Sequence, residues 1–210
     1  MRREELMQPV DLALGLAVDV SASVDFDEFG LMIGGLAGAF REPDIAAACA
    51  AGPRGAVAVA VLFWSAAQDV AVSWRRIDGG EAAAALAAAI ENAPRLPQPG
   101  ATGLGPGMAA GLALLGRCPA EAARLVLDVS GDGRHNLGRA PGPVRDLGVA
   151  AGVTFNALAV LNEEPDLLAH YEAEVIGGPG AFAMSCADYA DFAEAIRRKL
   201  RREIGGGLIA

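Results

Sequence analysis

The sequence predicts an α/β open sheet, mostly parallel, with helices on both faces, one antiparallel strand and the strand order 3-2-1-4-5-6. Three observations carry this. Apolar runs of strand length, at residues 10–18, 56–64, 125–129 and 153–161, alternate with stretches of helical length. These runs are apolar at nearly every position, as strands buried on both faces of a parallel sheet are. The strand at 69–74 follows the one before it after four residues, 65–68, too few for a helical crossover, so one pair must be an antiparallel hairpin.

The elements follow in order. Residues 10–18 form the first strand. Asp25 then has Glu28 three residues on, a D-x-x-E variant of the capping box, and Phe26, Phe29, Ile33, Leu36, Ala37 and Phe40 recur at three- and four-residue spacing. This predicts an amphipathic helix ending near Pro43. Its glycines, Gly30, Gly34, Gly35 and Gly38, lower helix propensity, so packing must hold it, with close approach to the sheet as the expected compensation. After the hairpin, residues 81–90 are alanine-rich and helical, and a Pro- and Gly-bearing loop, 94–100, leads to Thr102 and a helical stretch at 107–115. Residues 125–129 make a strand that runs into Ser130-Gly131-Asp132-Gly133. A short helix at 143–151, a strand at 153–161, a helix or helical turn at 166–175 and a short strand at 181–184 complete the alternation. Tyr189, Phe192, Ala193, Ile196 and Leu200 stripe a final helix capped by Asp188. The bases toward its end, Arg197, Arg198, Lys199, Arg201 and Arg202, complement the helix dipole and predict a solvated face rather than a binding patch.

With 210 residues, 53% apolar and 20% charged, the chain can bury one full core, and residues 1–210 are expected to form a single domain because two would each be small. The formal charge of −9 disfavours nucleic acid and anionic membranes as partners and favours a cation or a basic protein surface. Cys49, Cys118 and Cys186 form no CxxC and cannot all pair within one chain; small buried thiols are expected, with a bridge between Cys118 and Cys186 as the alternative. No apolar leader precedes the first strand, and residues 12–18 are too few to span a bilayer. The chain therefore reads as soluble, with no visible signal peptide and no membrane insertion.

The stretch Asp19-Val20-Ser21-Ala22-Ser23 places one carboxylate and two hydroxyls at alternate positions on the turn after the first strand. Hard oxygen donors of this kind suit Mg²⁺, Mn²⁺ or Ca²⁺, and three from one turn need others to complete a shell. In an open α/β sheet ligands bind beyond the carboxyl ends of the strands, where the strand order reverses. With the order 3-2-1-4-5-6, that crevice lies between the first strand and the one at 125–129, and Asp19 and Asp132 sit just past their ends. Two carboxylates held together repel unless a cation lies between them. Thr102, at the head of a helix after a Gly-rich loop, offers a further hydroxyl.

These residues resemble the von Willebrand factor A-like domains with a metal-ion-dependent adhesion site. The pattern there is DxSxS on the first loop, Thr on the second and Asp, usually followed by Gly, on the third. Here it reads Asp19, Ser21 and Ser23, then Thr102, then Asp132-Gly133. More narrowly, the runs VDLALGLAVDVSASVD, LDVSGDG, VIGGPGAF and DFAEAIRRKL are similar to a bacterial subgroup known only as a domain of unknown function. The resemblance covers nearly the whole chain. It implies a Rossmann-like three-layer sandwich, one divalent cation, usually Mg²⁺, and a partner protein that supplies a Glu or Asp to it. Many relatives are exported, whereas this chain shows no export signal. Asp128, an acid inside a strand that is usually apolar in that family, competes with Asp132 as the third-loop ligand; Asp132 is the expected one because it lies beyond the strand end.

Other readings compete for the same residues. Ser21, Ser23 or Asp25 could cap a helix while Asp19 bonds within a turn, and Thr102 alone reads more readily as a cap than as a ligand. Gly103-x-Gly105-x-Gly107 misses the dinucleotide spacing and follows no apolar strand. A hydrolytic set of Ser130, Asp132 and His135 is too local for triad geometry, and Ser130 lacks a GxSxG elbow; His170 is isolated and reads as structural or exposed. A Mg²⁺-dependent hydrolase or phosphoryl-transfer enzyme in the same crevice is the rival function, although the DxD pair of aspartyl-phosphate chemistry is missing at Asp19-Val20-Ser21. The expected function is thus non-enzymatic, cation-dependent protein binding.

Overall fold

The structure is a computed structural model that describes residues 7–95 and 100–206. Residues 1–6 and part of the predicted loop at 94–100 lie outside the described residues, as do residues 207–210. Six strands form one sheet in the order β3-β2-β1-β4-β5-β6, where β1 is Val10–Asp19, β2 Val57–Trp64, β3 Gln68–Ile77, β4 Ala122–Gly131, β5 Val153–Val160 and β6 Ala183–Cys186. All neighbours pair in parallel except β2 and β3, the expected hairpin.

Two layers of helix cover the sheet. On one face lie α1 (Phe26–Arg41), α2 (Pro43–Cys49), α3 (Gly80–Glu91) and α7 (Phe192–Gly205); on the other lie α4 (Leu104–Leu115), α5 (Pro141–Ala150) and α6 (Leu167–Glu174). Strand β1 shows why two buried faces differ. Leu12, Leu14, Leu16 and Val18 point to the α1 side, while Ala13, Gly15 and Ala17 face α4. The small residues let α4 descend close to the sheet, and α4 answers with its own glycines. A methyl added at Gly107 would lie 2.7 Å from the Trp64 ring, and one at Gly111 would lie 2.5 Å from Leu127.

Several expectations need correction. Pro43 does end α1, but it also opens α2, because its missing N–H and fixed φ are as suited to the first turn of a new helix as they are unsuited to the middle of an old one. Of the α1 glycines only Gly35 serves close packing, and its neighbour is Ala193 on α7 rather than the sheet; Gly30, Gly34 and Gly38 face open space. Phe26, expected on the buried stripe, is 81% exposed. Asp188 does not cap α7, which starts at Phe192; its carboxylate accepts from the backbone N–H of Ala190 and Asp191 and forms the preceding turn, which removes Tyr189 from the helix. The three cysteines are free thiols, Cys49 and Cys186 buried and Cys118 only half-buried.

The basic end of α7 is not uniformly solvated. Arg197 and Arg198 pair with Glu194 at the surface and Arg201 pairs with Asp44, but Lys199 is fully buried. Its ammonium pairs with Asp128 in the middle of β4 and lies 2.6 Å from Glu203 one turn on. Asn156 on β5 donates to the same Glu203 oxygen at 2.9 Å. Asp128, the unexpected acid within the strand, is thus the sheet's countercharge for α7. Burial first, and then the charge of Asp128, pushes the Glu203 carboxyl up to about 8.

Two predictions follow from this cluster. Lys199→Ala leaves the buried Asp128 carboxylate without its counterion and should cost about 3–5 kcal/mol in chemical denaturation, whereas the exposed Arg198→Ala should cost less than about 1 kcal/mol. Because folding raises the Glu203 pKa from an ordinary 4.5 to about 8, the stability it contributes is complete at pH below 4.5 and is lost as pH climbs to about 8. Denaturation midpoints should fall across that window, and Glu203→Gln should flatten the fall.

Candidate metal site

Strand β1 ends at Asp19, and the chain turns over Val20 to Ser23 before α1. The Asp19 Oδ1 accepts the Ser21 N–H at 2.7 Å, which closes the turn. The Ser21 and Ser23 hydroxyls lie 3.1 Å apart. Neither serine caps α1. Asp25 does so, accepting from the Glu28 N–H while Glu28 accepts from the Asp25 N–H, each at 2.8 Å, the reciprocal box read from the sequence. Arg95 fixes the turn from outside: its guanidinium donates to the carbonyls of Ser21, Val24 and Asp25 and lies over the Phe29 ring.

Parallel pairing sets the second carboxylate beside the first. Val18 is aligned with Ser130, so the turn after β1 and the turn after β4 leave the same sheet edge side by side. The Ser23 hydroxyl donates to the Asp132 Oδ1 at 2.7 Å, across 109 residues of sequence. Gly131 makes the approach feasible, since a Cβ there would sit 2.7 Å from the Tyr171 hydroxyl and 2.9 Å from the Asp19 Oδ2. Asp128 lies within the strand against Lys199, so Asp132 alone faces Asp19 from this loop.

Thr102 comes from the segment before α4. It is not that helix's cap: α4 begins at Leu104, its N-cap is Gly103, and no side chain bonds the first turn. The backbone N–H of Thr102 instead donates to Asn136. Its side chain faces Gly133, where a Cβ would stand 3.6 Å from the Thr102 Oγ1. Thr102 therefore borders the loop of Asp132, and all five sequence-predicted oxygen-bearing residues converge on one edge between β1 and β4.

The electrostatics of this edge are unusual for residues so close. Asp19, Ser21 and Asp132 are fully buried. Burial, reinforced by the charge of Asp132, pushes the Asp19 carboxyl up to about 8, and burial also raises Asp132 against the opposing hydrogen bond from Ser23. The phenols of Tyr171 and Tyr189 stand beside this pair, and both are held above their ordinary pKa by burial and by the neighbouring carboxylates, so they remain O–H donors. Even so, among the described residues the Asp19 Oδ2 and the Asp132 Oδ2 have no hydrogen-bond partner. Buried carboxylate oxygens without a donor are costly, and a divalent cation is the partner that two such oxygens and three hydroxyls fit. Among the described residues no group of three or more His, Cys, Asp or Glu is placed to hold a metal ion, so any cation here would depend on Ser and Thr oxygens to complete its shell.

The residues that sequence reasoning missed are those that hold the others. Arg95 and Asn136 gave no periodic or motif signal, being single polar residues in loops. Tyr189 was assigned to the stripe of α7, and Tyr171 was an unremarked position of α6. His135 makes no hydrogen bond to Ser130 among the described residues, and its Nδ1 has no partner, so the Ser130, Asp132 and His135 set is not assembled.

The mussel byssus proximal thread matrix protein 1 superposes with a TM-score of 0.65 at 15% identity, covering 94% of this chain and 47% of that one. A structure of the same protein described as having a zinc-occupied MIDAS motif superposes at 0.62, with 15% identity over 93% of this chain and 46% of that one. The pilus adhesin SpaC from Lactobacillus rhamnosus GG gives 0.66 at 14% identity, over 97% of this chain and 31% of that one. A von Willebrand factor type A protein from Catenulispora acidiphila gives 0.65 at 16%, over 94% and 43%. The chain spans less than half the length of each, and at these identities the likeness is one of fold, which is von Willebrand factor A-like. No curated protein matches the chain by sequence. The family model described as "Protein of unknown function (DUF1194)" matches residues 9–208, and the chain belongs to that family.

Proposed function

We propose that this chain, as a single domain, is a non-enzymatic, divalent-cation-dependent protein-binding module. The oxygens of Asp19, Ser21, Ser23, Thr102 and Asp132 would hold the ion, and an acidic side chain of a partner protein would complete its shell. The observation that carries the reading is the pair of buried, unpartnered carboxylate oxygens on Asp19 and Asp132 inside a ring of hydroxyls. Oxygen donors of this kind favour Mg²⁺, with Mn²⁺ or Ca²⁺ as substitutes. Relatives by fold that are described as adhesins, and one described with a zinc-occupied adhesion motif, support the same direction. When bound, the cation supplies attraction for an incoming carboxylate. The chain's own residues orient the site: Ser21 N–H fixes Asp19, Ser23 fixes Asp132, and Arg95 keeps the first turn in place.

The surrounding edge describes the partner further. Asp25, Asp27 and Glu28 open α1, Glu163, Glu164 and Asp166 follow β5, and Asp188 and Asp191 follow β6. Arg134 is already paired with Glu164 and Asp166. A carboxylate approaching through this acidic collar is repelled unless it is carried on a basic surface, so the complementary partner presents one acid among lysines or arginines.

Thermal melting tests the cation directly. Mg²⁺ or Mn²⁺ at about 100 times its Kd should stabilise the metal-free protein by about 2.7 kcal/mol, and Asp19→Ala should abolish the shift; superimposable melting curves with and without metal would contradict the reading. In the metal-free state Asp19→Asn should melt higher than the parent, the gap widening as pH rises from about 4 to 8, because the variant no longer has a buried carboxyl to ionise. No turnover of a generic phosphate ester in Mg²⁺ is expected. Turnover that disappears in Asp19→Asn would move the assignment to hydrolysis or phosphoryl transfer.

A further inference from the structure

Asn136 makes three hydrogen bonds to one residue, Thr102. Its backbone N–H donates to the Thr102 carbonyl at 3.1 Å. Its Oδ1 accepts the Thr102 N–H at 2.8 Å, and its Nδ2 donates to the Thr102 Oγ1 at 3.4 Å. The amide orientation is dictated by chemistry, since a backbone N–H needs an acceptor and so takes the oxygen, which leaves the NH₂ for the hydroxyl. The contact ties the loop that carries Asp132 to the segment that carries Thr102, 34 residues away.

We infer that Asn136 is the positioning residue that makes Thr102 a cation ligand. This rests on the cation reading above and goes beyond it by assigning a residue outside the five oxygen donors. The threonine oxygen has two lone pairs and one proton. Donation from Asn136 occupies one lone pair and fixes the side chain's rotation, and the hydroxyl lies beside Gly133, where an added Cβ would stand 3.6 Å away. The second lone pair is then available to an ion. An aspartate at 136 would satisfy the Thr102 N–H equally well but would take the hydroxyl proton instead of giving one, turning the oxygen's lone pairs differently. An alanine would release both.

Calorimetric titration of the full chain with Mn²⁺ alone tests this, using Asn136→Ala, Thr102→Ala and the double variant. Asn136→Ala should weaken Mn²⁺ binding about ten-fold, the scale typical of lost ligand-orienting contacts, with the metal-free protein still folded. The double variant should bind no more weakly than Thr102→Ala, because Asn136 acts through Thr102. Unchanged Mn²⁺ affinity in Asn136→Ala overturns the inference, and so does a double variant in which the two losses multiply. If Asn136→Ala does not fold, Asn136→Ser, which keeps an oxygen but no second donor, enters the same cycle. Failure of the unsubstituted protein to bind Mn²⁺ overturns the cation reading itself, an outcome distinct from either of these.

Discussion

The parallel pairing of β1 with β4 places two aspartates, Asp19 and Asp132, at adjacent strand ends and buries both. Everything near them answers that constraint. Two buried carboxyls cannot both ionise without compensation, and what the protein supplies is partial: one N–H to an oxygen of Asp19 and one hydroxyl to an oxygen of Asp132, while the nearby Tyr171 phenol donates to the Gly133 carbonyl. Gly131 is small for this reason, and the serines are released from helix capping by Asp25 and Glu28. The Asp19 Oδ2 and the Asp132 Oδ2 are left without a donor among the described residues, and the proposed cation would supply that compensation.

A second buried ionic group lies on the same strand and has the opposite character. Asp128 and Glu203 are both paired with Lys199 across the sheet and α7, and Asn156 adds a hydrogen bond to Glu203, so here a cation is already in place as the lysine ammonium. Three residues of β4 thus separate an ion-paired acid, which fixes a helix to the sheet, from an unpaired one just past the strand end. The contrast also explains why two acids so near in sequence have different roles: Asp128 points sideways from a strand into the α7 layer, and Asp132 leaves the strand end into a loop.

Much of the fold was legible because its signals are local and periodic. Fully apolar strands, the capping box at Asp25 and Glu28 and the four-residue hairpin link between β2 and β3 each fix a choice, and the order 3-2-1-4-5-6 follows the usual geometry of crossovers. The convergence of Asp19, Ser21, Ser23, Thr102 and Asp132 was legible from that order together with a family resemblance. What escaped was non-local. Lys199 reads as one base among five until Asp128 is seen beneath it, and Pro43 reads as a stop until the next helix is seen to use it as a start. Asn136 and Arg95 hold the segments of Thr102 and Ser21 by bonds to backbone atoms, which leave no trace in hydrophobic pattern or motif spacing.

In the proposed function the unpartnered oxygens of Asp19 and Asp132 share a divalent cation. The most direct measurement is anomalous diffraction from crystals grown with Mn²⁺. The account predicts an anomalous peak between the Asp19 Oδ2 and the Asp132 Oδ2, with the oxygens of Ser21, Ser23 and Thr102 in its shell directly or through water. A site that holds only water, or two carboxyls sharing a proton while Mn²⁺ is in excess, would contradict it.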